Sequence, residues 1–291
     1  MVKQNLITKI FNSYLRDKDI RNFKTSLIYY FVFRILRIFL SKYIKIKIFN
    51  FYVLASSCKN QASYYLIKKC DFEDQHQLLT LKKISDKAKI FFLDCGSNYG
   101  FYSLYVASLS RSNIVLSYEA SPTTKEICQK NIDLNNFKNI DLKNLAISDL
   151  ENREVILYES KNDWESSLTH SSFYEKSLIK VKSTTIDFEM KNKNLDNYFL
   201  SIKLDIEGNE FNAIYGASDT IKKYNPLIII ELSNHNYKNR EFNFDFFKSF
   251  LKKNEYLVYD TRLLETNYDT LMQSISNLHK SKKSPLAIII L

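Results

Sequence analysis

From residue 88 onward, short apolar runs alternate with amphipathic stretches, and that order leaves few folds open to the chain. KIFFLD (89–94), NIVLSYEA (113–120), IDLKNLAIS (140–148), FLSIKLDI (199–206) and PLIIIELS (226–233) read as strands. EYLVYD (255–260) and PLAIIIL (285–291) close the series. Between them, helices are predicted over 100–110, 121–136, 209–224 and around 243–253, with Ser121 as an N-cap and Pro122 at the first helical position. REVILYES (153–160) and IKVKSTTID (179–187) read as two extra strands around a polar loop. Strands apolar on both faces need cover on both faces, and strand–helix alternation makes them parallel. The prediction is an α/β fold with a doubly wound, mostly parallel sheet. In such a sheet a ligand sits at the carboxyl ends of the strands, near the switch point.

The chain holds only four glycines, Gly96, Gly100, Gly208 and Gly216, where average usage would give about twenty. Two of them frame DCGSNYG, directly after the first strand, so a ligand is expected against the N-terminus of the following helix. The pattern is not G-x-G-x-x-G, because Asn98 stands where the second glycine would be, and no G-K-[ST] follows to make a P-loop. Glu119 ends the second strand, where a carboxylate accepts from both hydroxyls of a ribose. Asp149, after the third strand, has two readings: a contact to an adenine amino group, or a turn residue in SDLEN. Asp94, beside the turn, is placed to hold an amino-acid ammonium directly or through water. Adenosine joined to an amino acid describes S-adenosylmethionine.

A second polar cluster lies in SIKLDIEG, where Lys203, Asp205 and Glu207 alternate with Ile202, Leu204 and Ile206. Period 2 puts the three charges on one face of a strand. In a buried strand they are costly unless paired or facing a cleft. Lys203 is expected to pair with Asp205, and Asp205 and Glu207 to face the ligand. Glu210 follows in the first helical turn, where its charge suits the helix dipole.

Charge is unevenly placed. The chain carries a formal net +10. Residues 1–53 hold eleven Lys and Arg against Asp17 and Asp19, so nine of those ten charges sit in the first 53 residues. The nearly neutral body argues against a nucleic-acid enzyme with a basic groove, and the arm points to an anionic partner. SLIYYFVFRILRIFL (26–40) is too short for a comfortable membrane span and is broken by Arg34 and Arg37. As a helix it either lies in a membrane interface or packs on the domain. It begins too late for a standard signal peptide. The four cysteines have no metal-ligand spacing and read as free thiols in a reducing compartment.

LDCGSNYGFYSL, SYEASP, NLAISD, STTID and IKLDIEGNEFNAIYGASDTIKKYNPLIIIEL together resemble the FkbM-type methyltransferases, over roughly residues 88–260. The resemblance implies a Rossmann-like class I methyltransferase fold, here with an N-terminal helical extension. It divides the chain into a basic amphipathic extension (1–80) and a methyltransferase domain (81–291). It implies S-adenosylmethionine as cofactor and O-methylation, often of a sugar hydroxyl in a glycan or glycolipid precursor. Asp94, Gly96, Asn98, Gly100 and Glu119 would hold the cofactor, with Asp205 and Glu207 beside the transferred methyl group. Ser97 replaces the usual Ala of the turn, and EAS replaces EPN after the second strand. Asp205 or Glu207 is expected to act as base, or the two to hold a divalent cation that acidifies the hydroxyl. His235 is a second candidate base, and Glu231 is placed to order the acceptor. A saccharide acceptor, no nucleic acid, and a cytoplasmic site with peripheral membrane contact through residues 1–53 complete the expectation. The rival readings are a nicotinamide-dependent oxidoreductase and a non-catalytic nucleoside-binding relative.

Overall fold

The computed structural model describes residues 43–56, 75–160, 166–168, 175–232, 244–259, 265–266 and 286–290. Its centre is β3 (Lys89–Cys95), buried from Ile90 to Cys95. β3 pairs in parallel with β4 (Ile114–Tyr118) on one side and β9 (Tyr198–Leu204) on the other. β5 (Ile140–Lys143) extends the sheet beyond β4, and β10 (Leu227–Leu232) extends it beyond β9, both in parallel. β13 (Leu286–Ile290) then inserts antiparallel between β10 and β11 (Val258–Tyr259), and β12 (Glu265–Thr266) forms the edge. The order β12-β11-β13-β10-β9-β3-β4-β5 is therefore mostly parallel, and it reverses direction of growth at β3.

The strands sort their side chains by period 2, and each set has its own helical cover. Ile90 and Phe92 join a core with α1 (Gln75–Ser85), α2 (Phe101–Leu109) and α3 (Pro122–Asn135). Phe91, Leu93 and Cys95 join a second core with α4 (Ile186–Met190), α5 (Glu210–Tyr215), α6 (Ser218–Tyr224) and α7 (Phe244–Lys253). The sheet is thus doubly wound. Ser121 caps α3 by accepting from the Thr124 N–H, with Pro122 at the helix start.

Three local expectations change. The strand foreseen over 140–148 divides, because the Asn144 side chain donates to the carbonyls of Glu119 and Ala120, both at 2.8 Å, and turns the chain. Its second half, β6 (Ala146–Ile147), leaves the main sheet and joins β7 (Glu154–Ser160) and β8 (Glu175–Thr184) in a small flanking sheet. The strand foreseen over 179–187 ends at Thr184, since Thr185 caps α4 by accepting from the Phe188 N–H at 3.1 Å. The single helix foreseen over 209–224 is two, broken where a Cβ on Gly216 would stand 2.3 Å from the Ser148 carbonyl oxygen.

Ahead of the sheet, β1 (Tyr43–Ile48) and β2 (Phe51–Ser56) form an antiparallel hairpin. Its signal in the sequence is the alternation of Ile44, Ile46 and Ile48 with Lys45 and Lys47. The three isoleucines, Phe51 and Val53 join the same core as α2 and α3. The helix expected over 26–40 lies outside the described residues, and the division drawn at residue 80 falls within α1. Among the described residues no helix is long and apolar enough to cross a membrane.

Candidate active site

β3 delivers Asp94 and Cys95 to the switch point, and the chain then turns through Gly96–Gly100 into α2. Three residues of that turn have positive φ: Gly96 (76°), Asn98 (52°) and Gly100 (85°). Asn98 suits such a position because its Oδ1 accepts from the next N–H, that of Tyr99, at 2.8 Å. The Gly96 and Ser97 N–H groups both donate to the Tyr118 carbonyl at the end of β4, at 3.0 and 2.9 Å. Gly96 is required for a second reason. A Cβ there would lie 1.8 Å from the Asp205 carbonyl oxygen, so the end of β9 rests on the turn.

Asp94 is fully buried beneath this turn. Its Oδ2 accepts from the Ser103 hydroxyl at 2.6 Å and the Ser103 N–H at 3.0 Å, which ties the end of β3 to α2. Its Oδ1 has no hydrogen-bond partner and stands 3.6 Å from the Lys203 ammonium. Burial pushes its carboxyl above the ordinary range, against the opposing pull of Lys203 and Ser103.

Lys203 joins the two motifs. Its ammonium lies 2.9 Å from Asp205 Oδ2 and donates to the Gly96 carbonyl at 3.1 Å. Burial disfavours its charge, yet the Asp205 and Asp94 carboxylates outweigh that and hold the proton more firmly than usual. Burial also opposes the charge on Asp205, but Lys203 and a hydrogen bond from Glu231 keep that carboxyl below its ordinary range. Glu231 comes alongside because Ile230 of β10 pairs with Leu204 of β9. The Asp205 charge and then burial push Glu231 well above its usual range, so it is the proton-bearing member of the pair. The expected Lys203–Asp205 pairing is present. The expected alternation does not run on to Glu207, because β9 stops at Leu204 and Glu207 turns the chain with φ 54°. Glu210 is buried and its Oε1 accepts from the N–H groups of Ile206 (3.0 Å) and Gly208 (3.1 Å), closing that turn.

Above these residues opens a cleft of ≈ 580 Å³, its mouth included. Gly96, Asn98 and Glu119 line one part of it. Glu119 sits just past β4; its Oε2 accepts from the Asn98 N–H at 2.8 Å and its Oε1 from the Ser121 N–H at 2.9 Å. Burial raises its carboxyl to about 7 despite those two donors. Next to it Ala120, Leu145, Ala146, Ile147 and Leu157 form an apolar slot. Ser166, Asp205, Glu207 and Asn209 add polar groups to the lining.

The structure therefore gathers Gly96, Asn98, Glu119, Asp205 and Glu207 around one cleft. Asp94 and Gly100 support the turn without lining the cleft, and Asp149 is an exposed turn residue whose carboxylate accepts from the Ser148 hydroxyl. His235 lies outside the described residues. The apolar slot went unforeseen, because Leu157 arrives from the flanking sheet and nothing in its local sequence marks it. Among the described residues no group of three or more His, Cys, Asp and Glu side chains is placed to hold a metal ion. The Lys203 ammonium, 2.9 Å from Asp205 Oδ2, already neutralises the carboxylate on which the Asp205–Glu207 cation alternative depends, so the donor set does not favour a divalent cation there.

The donor set does fit an adenosyl amino acid: a carboxylate at the end of β4 for a ribose, an apolar slot beside it for a purine, and a tight turn for the remainder. This sheet order, with a cleft at the carboxyl ends of β3, β4 and β9, is that of a Rossmann-like α/β fold with a nucleoside-sized site at its switch point. The FkbM methyltransferase domain matches residues 94–258, more than half of the chain, and the chain belongs to that family.

Among solved structures, the chain is similar to methyltransferase FkbM of Methylobacillus flagellatus KT, at 12% identity and TM-score 0.42, over 79% of this chain and 54% of that one. It thus spans about half the length of that protein. It is similar to precorrin-6y C5,15-methyltransferase of Geobacter metallireducens GS-15 at 11% identity and TM-score 0.40, over 77% and 90% of the two chains. A third is TYW2 of M. jannaschii in complex with AdoMet, at 10% identity and TM-score 0.38, over 86% and 84%. Family membership rests on the domain match and not on these distant likenesses. No curated protein matches the sequence.

Proposed function

We propose that the chain methylates a hydroxyl group of a saccharide, such as a glycan or glycolipid precursor, in the cleft at the carboxyl ends of β3, β4 and β9. The observation that carries this is Asp205, which lines the cleft as an ionised carboxylate held by Lys203.

S-adenosylmethionine, when bound, supplies an electrophilic methyl group on a sulfonium. The chain's own work is to orient and to move a proton. Glu119 accepts from the ribose hydroxyls once it is ionised, and the Ala120–Leu157 slot takes the adenine ring. The turn at Gly96–Asn98 borders the amino-acid portion. Asp94 acts from beneath, through Lys203 and Ser103, and not as a direct contact. Asp205 accepts the proton of the acceptor hydroxyl late, as the C–O bond forms and the hydroxyl turns strongly acidic, since its own carboxyl lies below the ordinary range. Glu231 donates to Asp205 and fixes its orientation. Ser166, Glu207 and Asn209 give the cleft donors and acceptors suited to a polyol.

The basic arm supports an anionic partner. Nine of ten net charges lie in residues 1–53, and within the hairpin Lys47 is exposed while Lys45 lies 4.0 Å over the Tyr52 ring. An anionic lipid surface or an anionic saccharide answers that charge. Vesicle flotation of the full chain with anionic and neutral lipid separates the two.

The deciding experiment incubates the chain with isotopically labelled methyl donor and a panel of glycans and amines, read by mass spectrometry. Label on a sugar oxygen is the expected result. Label only on nitrogen, or none with donor uptake shown by calorimetry, overturns the hydroxyl reading.

A further inference from the structure

The hairpin β1–β2 lies ahead of the family-matched residues, yet two asparagines of α3 bind its edge into the site. Asn131 and Asn135 are four residues apart on the helix, about 6 Å of rise. Tyr52 and Leu54 are two residues apart on β2, about 6.6 Å. The match lets the helix face pair the strand as a neighbouring strand would. Asn135 Oδ1 accepts from the Tyr52 N–H and its Nδ2 donates to the Tyr52 carbonyl, both at 2.7 Å. Asn131 Oδ1 accepts from the Leu54 N–H at 2.7 Å, but its Nδ2 does not return to β2. It donates instead to the carbonyl of Tyr99 at 2.8 Å.

Tyr99 stands between Asn98 and Gly100 in the site turn, and both Tyr99 and Asn131 are fully buried. One buried amide therefore joins the hairpin to the turn. The turn gains from such support, since Asn98, the residue before Tyr99, holds a φ of 52° that a non-glycine residue populates thinly in a free chain, and the flanking Gly96 and Gly100 leave the backbone loose. Fixing the Tyr99 carbonyl orients the peptide between Tyr99 and Gly100, where α2 begins.

We propose that Asn131 is a positioning residue for the cofactor turn, through which the N-terminal hairpin braces the turn for binding. The proposal rests on the reading of this cleft as the S-adenosylmethionine site. Coupling of this kind is reciprocal: a hairpin that orders the turn raises cofactor affinity, and bound cofactor tightens the hairpin.

The test compares the full-length chain with Asn131→Leu and Asn135→Leu, measuring S-adenosylhomocysteine affinity by calorimetry and amide exchange at residues 96–100. Both substitutions remove hairpin bonds, but only Asn131 reaches the turn. Asn131→Leu is expected to weaken binding about tenfold or more and to speed exchange at 96–100, while Asn135→Leu binds within about threefold of wild type. Should Asn131→Leu fail to fold, the wild-type chain alone decides: S-adenosylhomocysteine is expected to slow exchange of the Leu54 amide. Equal affinity of wild type and both variants, or protection confined to residues 96–100, overturns the brace. A wild-type chain that takes up no S-adenosylhomocysteine overturns the cofactor reading and the brace with it.

Discussion

The Gly96 α-carbon faces the carbonyl of Asp205 so closely that a single added methyl would stand 1.8 Å from that oxygen. The two residues lie 109 positions apart, one in each of the two motifs, and the contact sets the distance between the glycine turn and the carboxylate proposed above as proton acceptor. Gly96→Ala is expected to force the end of β9 off the turn and to strain a φ of 76°. Overpacking and left-handed strain together cost about 3 kcal/mol. Urea denaturation measures this, and a variant as stable as wild type with unchanged S-adenosylhomocysteine affinity removes the contact from the account.

Asp205→Asn separates proton acceptance from cofactor binding. The amide oxygen still accepts from Lys203, and Lys203 keeps its bond to the Gly96 carbonyl, so the turn stays in place. The amide does not accept a proton, so kcat is expected to fall by about 10²–10⁴-fold, the usual contribution of a general base. Cofactor affinity is expected to stay near wild type. Turnover retained in full assigns the proton to another group.

Much of this was legible in the chain before any coordinates. Continuous apolar runs are the mark of strands covered on both faces, which is why β3, β4, β9 and β10 were placed within a residue or two. The same rule located Gly96, Asn98, Glu119, Asp205 and Glu207, because polar residues at the ends of such strands have few places to go but a cleft. What stayed hidden depends on contacts remote in sequence. The break between α5 and α6 reflects the approach of the Ser148 carbonyl to Gly216, and no local propensity records it. Glu207 fitted a period-2 pattern by residue type, but the strand had already ended at Leu204. Asp94 has the chemistry of a ligand contact, yet Ser103, in the first turn of α2, draws its carboxylate beneath the glycine turn.

Lys203 neutralises a pair of carboxylates that water does not reach well. Its side chain is 7% exposed, against 1% for Asp94 and 32% for Asp205. Lys203→Met leaves Asp94 buried without its cation and removes the donor to the Gly96 carbonyl. Breaking a buried pair from one side costs about 3–5 kcal/mol. The loss is expected in thermal denaturation at neutral pH. Asp94→Asn in the Lys203→Met background is expected to recover part of it by deleting the stranded charge. No recovery in the double variant places the cost in packing and not in charge.

Glu119 makes the site sensitive to pH in the neutral range. Burial lifts its folded-state carboxyl from 4.5 to about 7, so folding favours the protonated form. The sign follows: the stabilisation is fully present below pH 4.5 and is lost as pH rises through about 7, amounting to about 3 kcal/mol. Hydroxyls of a ribose donate to the ionised carboxylate, so cofactor binding is expected to expel a proton near pH 6–7. Calorimetry in two buffers of different ionisation enthalpy reads that proton directly. Glu119→Gln has no such proton to lose and is expected to abolish the buffer dependence and to flatten the stability slope over this range. It also forfeits one of the two backbone donors, Asn98 or Ser121, since an amide oxygen cannot serve both from the positions that two carboxylate oxygens now hold. A buffer dependence that survives in Glu119→Gln locates the proton elsewhere in the cleft.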